Sequence, residues 1–331
     1  MRKVLLAGAA LLMIGACGLP FGLGRPSTAQ LENGAADNMA KAKSFEAKGS
    51  MTQDSKPYTF DIEYVAPSDV HISAQQAGLN FEVLQVNGSV YYKGTDYLNS
   101  LTTDADAKKV FKAAGSRWIT SKDIQSIDTS SITDVNKVKA SFLTTIAQQR
   151  TDDVTVDGRQ TAELTLSDSI LNISEDQPYQ LVRVRSVKGK TVNGVTDMDM
   201  TFSNYGKDFS LSQPTDAFNL DDPTTWPPYY QVDSVSQKTV SGTTSCDDPC
   251  VLSAVIENRG GVNGASAPST VTFSLTSDTD NSVLGSCKVT IQPDKPHAQK
   301  FNASCSIQSS AWTNFSGNYH YRADIDNPAF D

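Results

Sequence analysis

Hydrophobic side chains alternate with polar ones through the first third of the chain, and this period of two constrains the fold more than any other feature. Residues 58–64 alternate Tyr, Phe, Ile and Tyr with Thr, Asp and Glu, and 70–74 and 81–83 continue the pattern. Because successive side chains of a strand point to opposite faces, these segments predict antiparallel strands with one face in water. The pair Asn87-Gly88 predicts a two-residue hairpin turn between two such strands.

Three other segments carry the helical period. The first follows a capping residue near Ser27 and covers 31–42, the second covers 104–114, and the third covers 134–149. Gly115 is the expected stop of the second helix. The order helix, strands, helices, strands predicts an α+β fold, in which one strongly curved antiparallel sheet forms a half-barrel with helices on its concave face.

The inner face of this sheet carries apolar side chains that could line a cavity. They are Phe60, Ile62, Val70, Ile72, Phe81 and Val83 on the strands, and Phe142, Leu143 and Ile146 on the third helix. Two interpretations are open, because these side chains could pack into a solid core or leave a hollow for a ligand. Burial of one long acyl chain contributes on the order of 10 kcal/mol, so even a partial pocket could hold lipid.

The N-terminus predicts export and anchoring. Arg2 and Lys3 precede an apolar run over 4–16, which is shorter than the roughly 20 residues that span a bilayer and is typical of a signal peptide. The run ends Ile14-Gly15-Ala16-Cys17, which resembles the lipobox of bacterial lipoproteins. The resemblance implies that residues 1–16 are removed and that Cys17 receives a diacylglyceryl group, which anchors the protein on the extracytoplasmic face of the cell membrane. The glycines and prolines of 17–29 predict a flexible tether.

A proline-rich stretch at 223–228 predicts an extended linker between a first domain at 30–222 and a second at 229–331. The second domain has short strands rich in Ser, Thr and Val and no helical stripe, which predicts an all-β sandwich.

Four of the five cysteines lie in the second domain. An exported chain meets an oxidising compartment, so we expect the disulfides Cys246–Cys250 and Cys287–Cys305, the latter across a hairpin that turns near 293–296. A zinc site of four thiolates is the alternative. It is disfavoured because the sequence has no Cys-x-x-Cys pair.

The composition excludes several classes of function. The chain of 331 residues has 28 Lys+Arg against 37 Asp+Glu, a net charge of −9, which argues against nucleic-acid binding. The sequence has three histidines, and it has no nucleophile elbow, paired-histidine motif or phosphate loop. We therefore expect no enzymatic activity, no cofactor and no metal site.

Several segments of the first domain resemble the LppX/LprAFG lipoproteins, which are related in shape to the LolA/LolB lipoprotein carriers. They are 44–50, 81–94, Trp118, 178–179 and 202–206. The resemblance implies an unclosed half-barrel that encloses acylated lipids or glycolipids without catalysis.

Two segments of the second domain, 255–261 and 319–326, resemble bacterial immunoglobulin-like modules of the CARDB type. That resemblance implies an extracellular spacer or adhesion module. We therefore expect a membrane-anchored lipoprotein that binds or carries an acylated lipid or glycolipid, with an envelope protein as a possible further partner. The alternative is a surface interaction protein with a solid first domain and a partner-binding second domain.

Overall fold

The computed structural model describes residues 25–124, 135–142, 147–192, 194–242, 245–264 and 267–331. Contacts between residues divide the chain into two compact units. The first consists of Met1–Tyr97 and Asp123–Pro214, and the second of Leu98–Lys122 and Thr215–Asp331. The sequence-based division kept 98–122 with the first domain, whereas the contacts assign this segment to the second unit.

Strands make up most of the regular structure, and short helices separate some of them. The helices are α1 (Thr28–Lys41), α2 (Thr95–Ser100), α3 (Ala105–Ala114), α4 (Val135–Phe142), the 3-10 helix η1 (Pro223–Thr225) and α5 (Ser310–Thr313). The strands are β1 (Ser44–Gln53), β2 (Lys56–Val65), β3 (Asp69–Gln76), β4 (Leu79–Val86), β5 (Ser89–Lys93), β6 (Ile119–Thr120), β7 (Gln149–Val156), β8 (Arg159–Thr165), β9 (Ser169–Ser174), β10 (Leu181–Ser186), β11 (Thr196–Ser203), β12 (Phe218–Asn219), β13 (Tyr230–Gln237), β14 (Cys250–Asn258), β15 (Ser269–Ser277), β16 (Val283–Ile291), β17 (Lys300–Ile307) and β18 (Tyr319–Asp326). None of the helices in the described part of the chain is long and apolar enough to cross a membrane.

The first unit is built on one open antiparallel sheet. Its strand order is β5-β4-β3-β2-β1-β11-β10-β9-β8-β7. Neighbours in this order are also neighbours along the chain, except that β1 pairs with β11, with Ala47 opposite Phe202. The expectation of an open, β-rich first domain is therefore confirmed, but the sheet is not curled into the strongly curved half-barrel that the sequence predicted.

Local sequence signals account for the ends of several elements. Ser27 caps α1 in a capping box, because its hydroxyl accepts from Gln30 N–H while the Gln30 side chain accepts from Ser27 N–H. The predicted hairpin at Asn87-Gly88 joins β4 to β5, and both residues have the positive φ that such a turn requires.

Helix α1 covers one part of the sheet and closes a solid core there. Leu31 and Met39 are at most 1% exposed, and they pack with fully buried strand residues such as Leu164. Other fully buried strand residues of this core include Phe45, Ala162, Leu171, Ile173 and Val184. These side chains come from β1, β8, β9 and β10, so this part of the sheet is filled.

The third predicted helix is shorter than its sequence pattern. The pattern covered 134–149, whereas α4 spans Val135–Phe142 and Gln149 begins β7. Gln148 N–H donates to Thr165 C=O, so pairing with β8 takes up the end of the predicted helix. Helix propensity is a weak local signal, and pairing with the neighbouring strand overrides it here.

The second unit contains the proline-rich stretch in a folded form. The sequence suggested an extended linker at 223–228, but Pro223–Thr225 is a 3-10 turn capped by Asp222, whose side chain accepts from Thr224 N–H. Trp226 stacks on Phe218 at 5.4 Å between ring centroids. The prolines fix the local backbone, yet the aromatic contacts turn the segment into part of a packed body.

A buried asparagine ties this stretch to the strands of the second unit. Asn258 is fully buried, and its Oδ1 accepts from the backbone N–H of Tyr229 and of Gly260. Its Nδ2 donates to the carbonyls of Gly261 and Lys295. All hydrogen-bonding groups of the side chain are thus occupied, as the interior requires.

The strands after Tyr229 form two three-stranded antiparallel sheets. Their orders are β13-β14-β17 and β16-β15-β18. Fully buried side chains of both sheets, including Leu252 and Phe273, belong to one hydrophobic core.

Candidate ligand-binding face

The six strand residues expected to line a cavity lie on one face of the first unit's sheet, which we call the apolar face. Ile62 lies opposite Ile72, and Ile72 lies opposite Val83. In an adjacent row Ala74 lies opposite both Phe60 and Phe81. Residues directly opposite one another on paired strands share a face, so the register brings the predicted residues together.

Coverage of the apolar face is uneven. Val70 and Val83 are buried, but Phe60, Ile62 and Phe81 are only half-buried, and so is Ile72. Ile62 and Ile72 border the solid core under α1. The strands β2 to β4 thus carry apolar side chains that the described part of the chain covers only in part.

Tyrosines that the sequence did not single out extend this face. Tyr92 lies opposite Val83, and Tyr58 alternates with Phe60 on β2. Tyr97 stacks on Phe81 with ring centroids 4.0 Å apart. The period of two and the hairpin register could have identified Tyr58 and Tyr92, whereas no local signal points to Tyr97.

The phenols of this group are held in the neutral form. Burial raises the pKa of Tyr58, Tyr92 and Tyr97 above the ordinary tyrosine value. A neutral phenol is both a donor and an acceptor of hydrogen bonds. The apolar face therefore combines a hydrophobic surface with polar groups that could bind the head of an amphiphile.

The opposite face of the same strands is charged. Lys48 Nζ lies 2.9 Å from Glu46 and 3.1 Å from Asp61, and His71 Nε2 lies 3.0 Å from Glu82. Burial alone would raise the pKa of Glu46, but hydrogen bonds from Lys48, Ser203 and Asn204 hold that pKa below its ordinary value. This face is a solvated ion-pair network, so the two faces of the sheet have distinct chemistry.

Four of the predicted site residues cannot be located. Cys17, Leu143 and Ile146 lie outside the described residues. Phe142 ends α4, but its side chain also lies outside the described part.

An open depression of about 640 Å³ lies on another part of the first unit. It is lined by Gly34, Asp37, Asn38, Lys41, Ala42, Gln177, Pro178 and Tyr179. None of the six predicted strand residues contributes to the described lining. Its lining is mostly polar or small, and the depression is therefore distinct from the apolar face.

The cysteines of the second unit form the two disulfides expected from the sequence. Cys246 pairs with Cys250, with Cα atoms 5.3 Å apart, and Cys287 pairs with Cys305, with Cα atoms 6.3 Å apart. These four residues therefore offer no thiolate to zinc. The geometry of the second pair differs from the prediction, because β16 and β17 are not a hairpin but belong to different sheets. The disulfide joins the two sheets at one side of the core.

The histidines are dispersed and each has a structural partner. His71 contacts Glu63 and Glu82, His297 contacts Gly260 C=O, and His320 contacts Asp278. Among the described residues, no group of three or more His, Cys, Asp or Glu side chains could hold a metal ion.

Comparisons with known proteins give little guidance. No family model and no curated protein matches the chain. Three solved structures show a low similarity. A structure of MucB in complex with MucA(peri) is 14% identical with a TM-score of 0.29, and the alignment covers 78% of this chain and 90% of that chain. The Pseudomonas aeruginosa MucA/MucB complex is 11% identical with a TM-score of 0.28, and covers 88% and 97%. A structure of MucB alone is 11% identical with a TM-score of 0.31, and covers 86% and 94%. A likeness of this size carries no argument about the fold or function of this chain.

Proposed function

We propose that this chain is a lipid-anchored extracytoplasmic binding protein that holds an acyl chain of a lipid or glycolipid against the apolar face. The observation that carries the proposal is the half-buried state of Phe60, Ile62, Ile72 and Phe81 on one face of paired strands. A contiguous row of apolar side chains that stays partly open to solvent is a candidate binding surface. Each CH₂ group that leaves water contributes about 0.8 kcal/mol, so a long acyl chain is a suitable ligand.

The N-terminal sequence supports the location. The apolar run over 4–16 and the lipobox-like ending at Cys17 fit export followed by attachment of a diacylglyceryl group. Two acyl chains give stable residence in a membrane, whereas one gives only marginal binding. The resemblance to the LppX/LprAFG lipoproteins agrees with a lipid ligand, and we assign the second unit the role of an immunoglobulin-like spacer.

A paired substitution tests the ligand. Phe60→Asp places a charge on the apolar face, and Thr59→Asp places the same charge at the adjacent, exposed position on the other face. We expect Phe60→Asp to weaken binding of a fluorescent long-chain fatty acid by at least about tenfold, and Thr59→Asp to change it less than about twofold. Equal affinities of both variants and the unmodified protein would exclude the apolar face as the site.

Lipid that accompanies the protein gives an independent readout. The chain would be exported behind a cleavable signal that lacks the cysteine, purified without detergent from the extracytoplasmic soluble fraction, and extracted into organic solvent for mass spectrometry. We expect acylated lipid in extracts of the unmodified protein and its loss in Phe60→Asp. The intact mass of the protein made with its own N-terminal sequence tests whether Cys17 is lipidated. Cys17→Ser should remove the mass of the diacylglyceryl group.

The second candidate function is a surface interaction protein without a lipid ligand. The filled core under α1, in which Leu31 and Leu164 are fully buried, favours it. A protein that carries no lipid after exposure to native membranes, and binds no fatty acid, would support this candidate over the first.

A further inference from the structure

The open depression beside α1 has the dimensions of a ligand site. Its volume of about 640 Å³ lies within the range of about 300 to 1,000 Å³ that is common for small-molecule sites. One wall is α1, and the other is the loop that joins β9 to β10. Both walls belong to the first unit, so the depression is formed within one compact body.

An aromatic ring is fixed against the helix in this depression. A Cβ atom at Gly34 would overlap Tyr179 Cδ2, so the ring packs where the helix has no side chain. Tyr179 is half-buried and also contacts the core under α1. Glycine in a helix interior costs up to about 1 kcal/mol relative to alanine. The helix thus has a less stable residue at the one position that gives the ring a defined place.

Polar side chains around the ring have few partners within the protein. In the part of the chain that the structure describes, the amides of Asn38 and Gln177 form no side-chain hydrogen bond. Lys41 Nζ lies 4.0 Å from the Asp37 carboxylate, which is a weak, exposed pair. The charged face of the sheet is different, because ion pairs cross it from strand to strand. The depression therefore offers donors and acceptors that a ligand can use.

The composition of the lining excludes several classes of ligand. Asp37 and Lys41 have opposite charges, so their sum favours neither an anion nor a cation. Two amides and an ion pair disfavour an acyl chain, because the chain would remove them from water without pairing them. Strands β9 and β10 each have a neighbour on both sides, so no free backbone edge is present here for an extended peptide. A neutral ligand with many hydrogen-bonding groups fits these conditions.

We propose that this depression binds an N-acetylated glycan, at a site separate from the apolar face. A pyranose ring has a face of C–H groups that stacks on an aromatic ring, and Tyr179 provides that ring. The amides of Asn38 and Gln177 each have donors and an acceptor, which complement the N–H and C=O of an acetamido group. The acetamido methyl group matches the small apolar surface of Ala42 and Pro178, which also line the depression.

A series of neutral sugars tests the ligand class by calorimetry on the full chain, exported behind a signal that lacks the cysteine. We expect N,N′-diacetylchitobiose to bind with a Kd of about 1 mM or tighter. Cellobiose has a hydroxyl in place of each acetamido group and should bind at least about fivefold more weakly, because it loses hydrogen bonds to the amides. Tetra-N-acetylchitotetraose should bind at least as tightly as the disaccharide, because the depression is open and leaves room for further units.

Matched substitutions test the position of the site. Asn38→Ala removes an amide from the lining, and Asn33→Ala removes the same amide from an exposed position elsewhere on α1. We expect Asn38→Ala to weaken disaccharide binding by about threefold to tenfold, and Asn33→Ala to change it by less than about 1.5-fold. Gln177→Ala and the exposed control Gln160→Ala form a second pair with the same expectation. Tyr179→Ala should weaken binding by at least about tenfold.

Competition separates this site from the lipid site. A saturating long-chain fatty acid should not displace the disaccharide, because the apolar face and the depression share no described residue. Failure of the fatty acid to bind contradicts the proposed function alone. The glycan site is overturned by absence of disaccharide binding at about tenfold the expected Kd, by equal affinity for cellobiose, by a weaker tetrasaccharide, by equal effects of the paired substitutions, or by displacement by fatty acid.

Discussion

The side-chain amide of Asn327 forms two hydrogen bonds with the backbone of Tyr230. Its Oδ1 accepts from Tyr230 N–H at 2.9 Å, and its Nδ2 donates to Tyr230 C=O at 3.0 Å. Both residues are buried. Tyr230 begins the edge strand β13, so the amide takes the place of a missing neighbour strand and joins the end of β18 to the other sheet.

Asn327→Ala should therefore destabilise the second unit by about 2 to 3 kcal/mol, because it leaves a buried N–H and a buried C=O without partners. All three tryptophans, Trp118, Trp226 and Trp312, lie in the second unit, so their fluorescence during urea unfolding reports on that unit. Asn318→Ala removes an exposed amide near the other end of β18 and should stay within about 0.5 kcal/mol. Equal effects of the two variants would contradict the role of Asn327.

The disulfide that closes the longer loop should contribute more to stability, although the contribution grows only with the logarithm of loop length. The loop-entropy relation gives about 3 kcal/mol for Cys287–Cys305, whose sequence separation is 18, and about 2 kcal/mol for Cys246–Cys250, whose separation is 4. Replacing each pair with alanine and following tryptophan fluorescence in urea measures the two values. A larger loss for the 246–250 pair would show that local packing, not loop closure, determines the contribution.

Features that depend on neighbouring residues could be predicted from the sequence. The helix start at Ser27, the turn at Asn87-Gly88 and the helix stop at Gly115 are set by local backbone requirements. The period of two likewise placed Phe60, Ile62 and Ile72 on one face, because the pleat fixes side-chain direction without reference to the rest of the fold.

Features that depend on distant contacts could not be predicted. The spacing of Cys287 and Cys305 fits a hairpin and a crossover between sheets equally well, and only the pairing of β16 with β15 and of β17 with β14 decides between them. The prolines at 223–228 predict an extended backbone, but nothing in their sequence indicates that the side chain of the distant Asn258 accepts a hydrogen bond from Tyr229 N–H. How far the apolar face is covered depends in the same way on packing, which periodicity does not encode.

Glu46 should stabilise the first unit only above acidic pH. Hydrogen bonds hold its folded pKa below the ordinary value, despite burial, so its contribution is complete above the unfolded pKa of about 4.3 and is lost as pH falls through the folded pKa. Glu46→Gln should lower the unfolding free energy at pH 7 and have a smaller effect at pH 3. Unfolding of the first unit can be followed by far-UV circular dichroism. Because the tryptophans all lie in the second unit, the part of the dichroism change that has no counterpart in tryptophan fluorescence reports on the first unit. A loss of equal size at both pH values would contradict the assignment.

Glu32 should behave in the opposite sense. Burial raises its pKa, and its Oε1 has no hydrogen-bond partner among the described residues. A raised pKa means that ionisation opposes folding, so stability falls as pH rises through the unfolded and then the folded pKa. Glu32→Gln should therefore stabilise the first unit at pH 7, and the gain should vanish below about pH 4. A destabilised variant at pH 7 would indicate an unrecognised role for the carboxylate.

Gly34 on α1 should resist the substitution that usually improves a helix. Replacement of glycine by alanine normally stabilises a helix by up to about 1 kcal/mol. Here an added Cβ would overlap the ring of Tyr179 and lie 3.2 Å from its Cβ, so rotation of the ring does not remove the conflict. Gly34→Ala should destabilise the first unit by about 1 kcal/mol, whereas Asn33→Ala, at an exposed site on the same helix, should stabilise it by about 0.5 kcal/mol.

The cause can be isolated with a double-mutant cycle. In a Tyr179→Ala background the obstacle is absent, and Gly34→Ala should become stabilising by the ordinary helix propensity difference. The far-UV circular dichroism transition of the first unit measures all four variants. If Gly34→Ala destabilises equally in both backgrounds, the glycine is required for another reason, and packing against Tyr179 does not determine how α1 sits on the sheet.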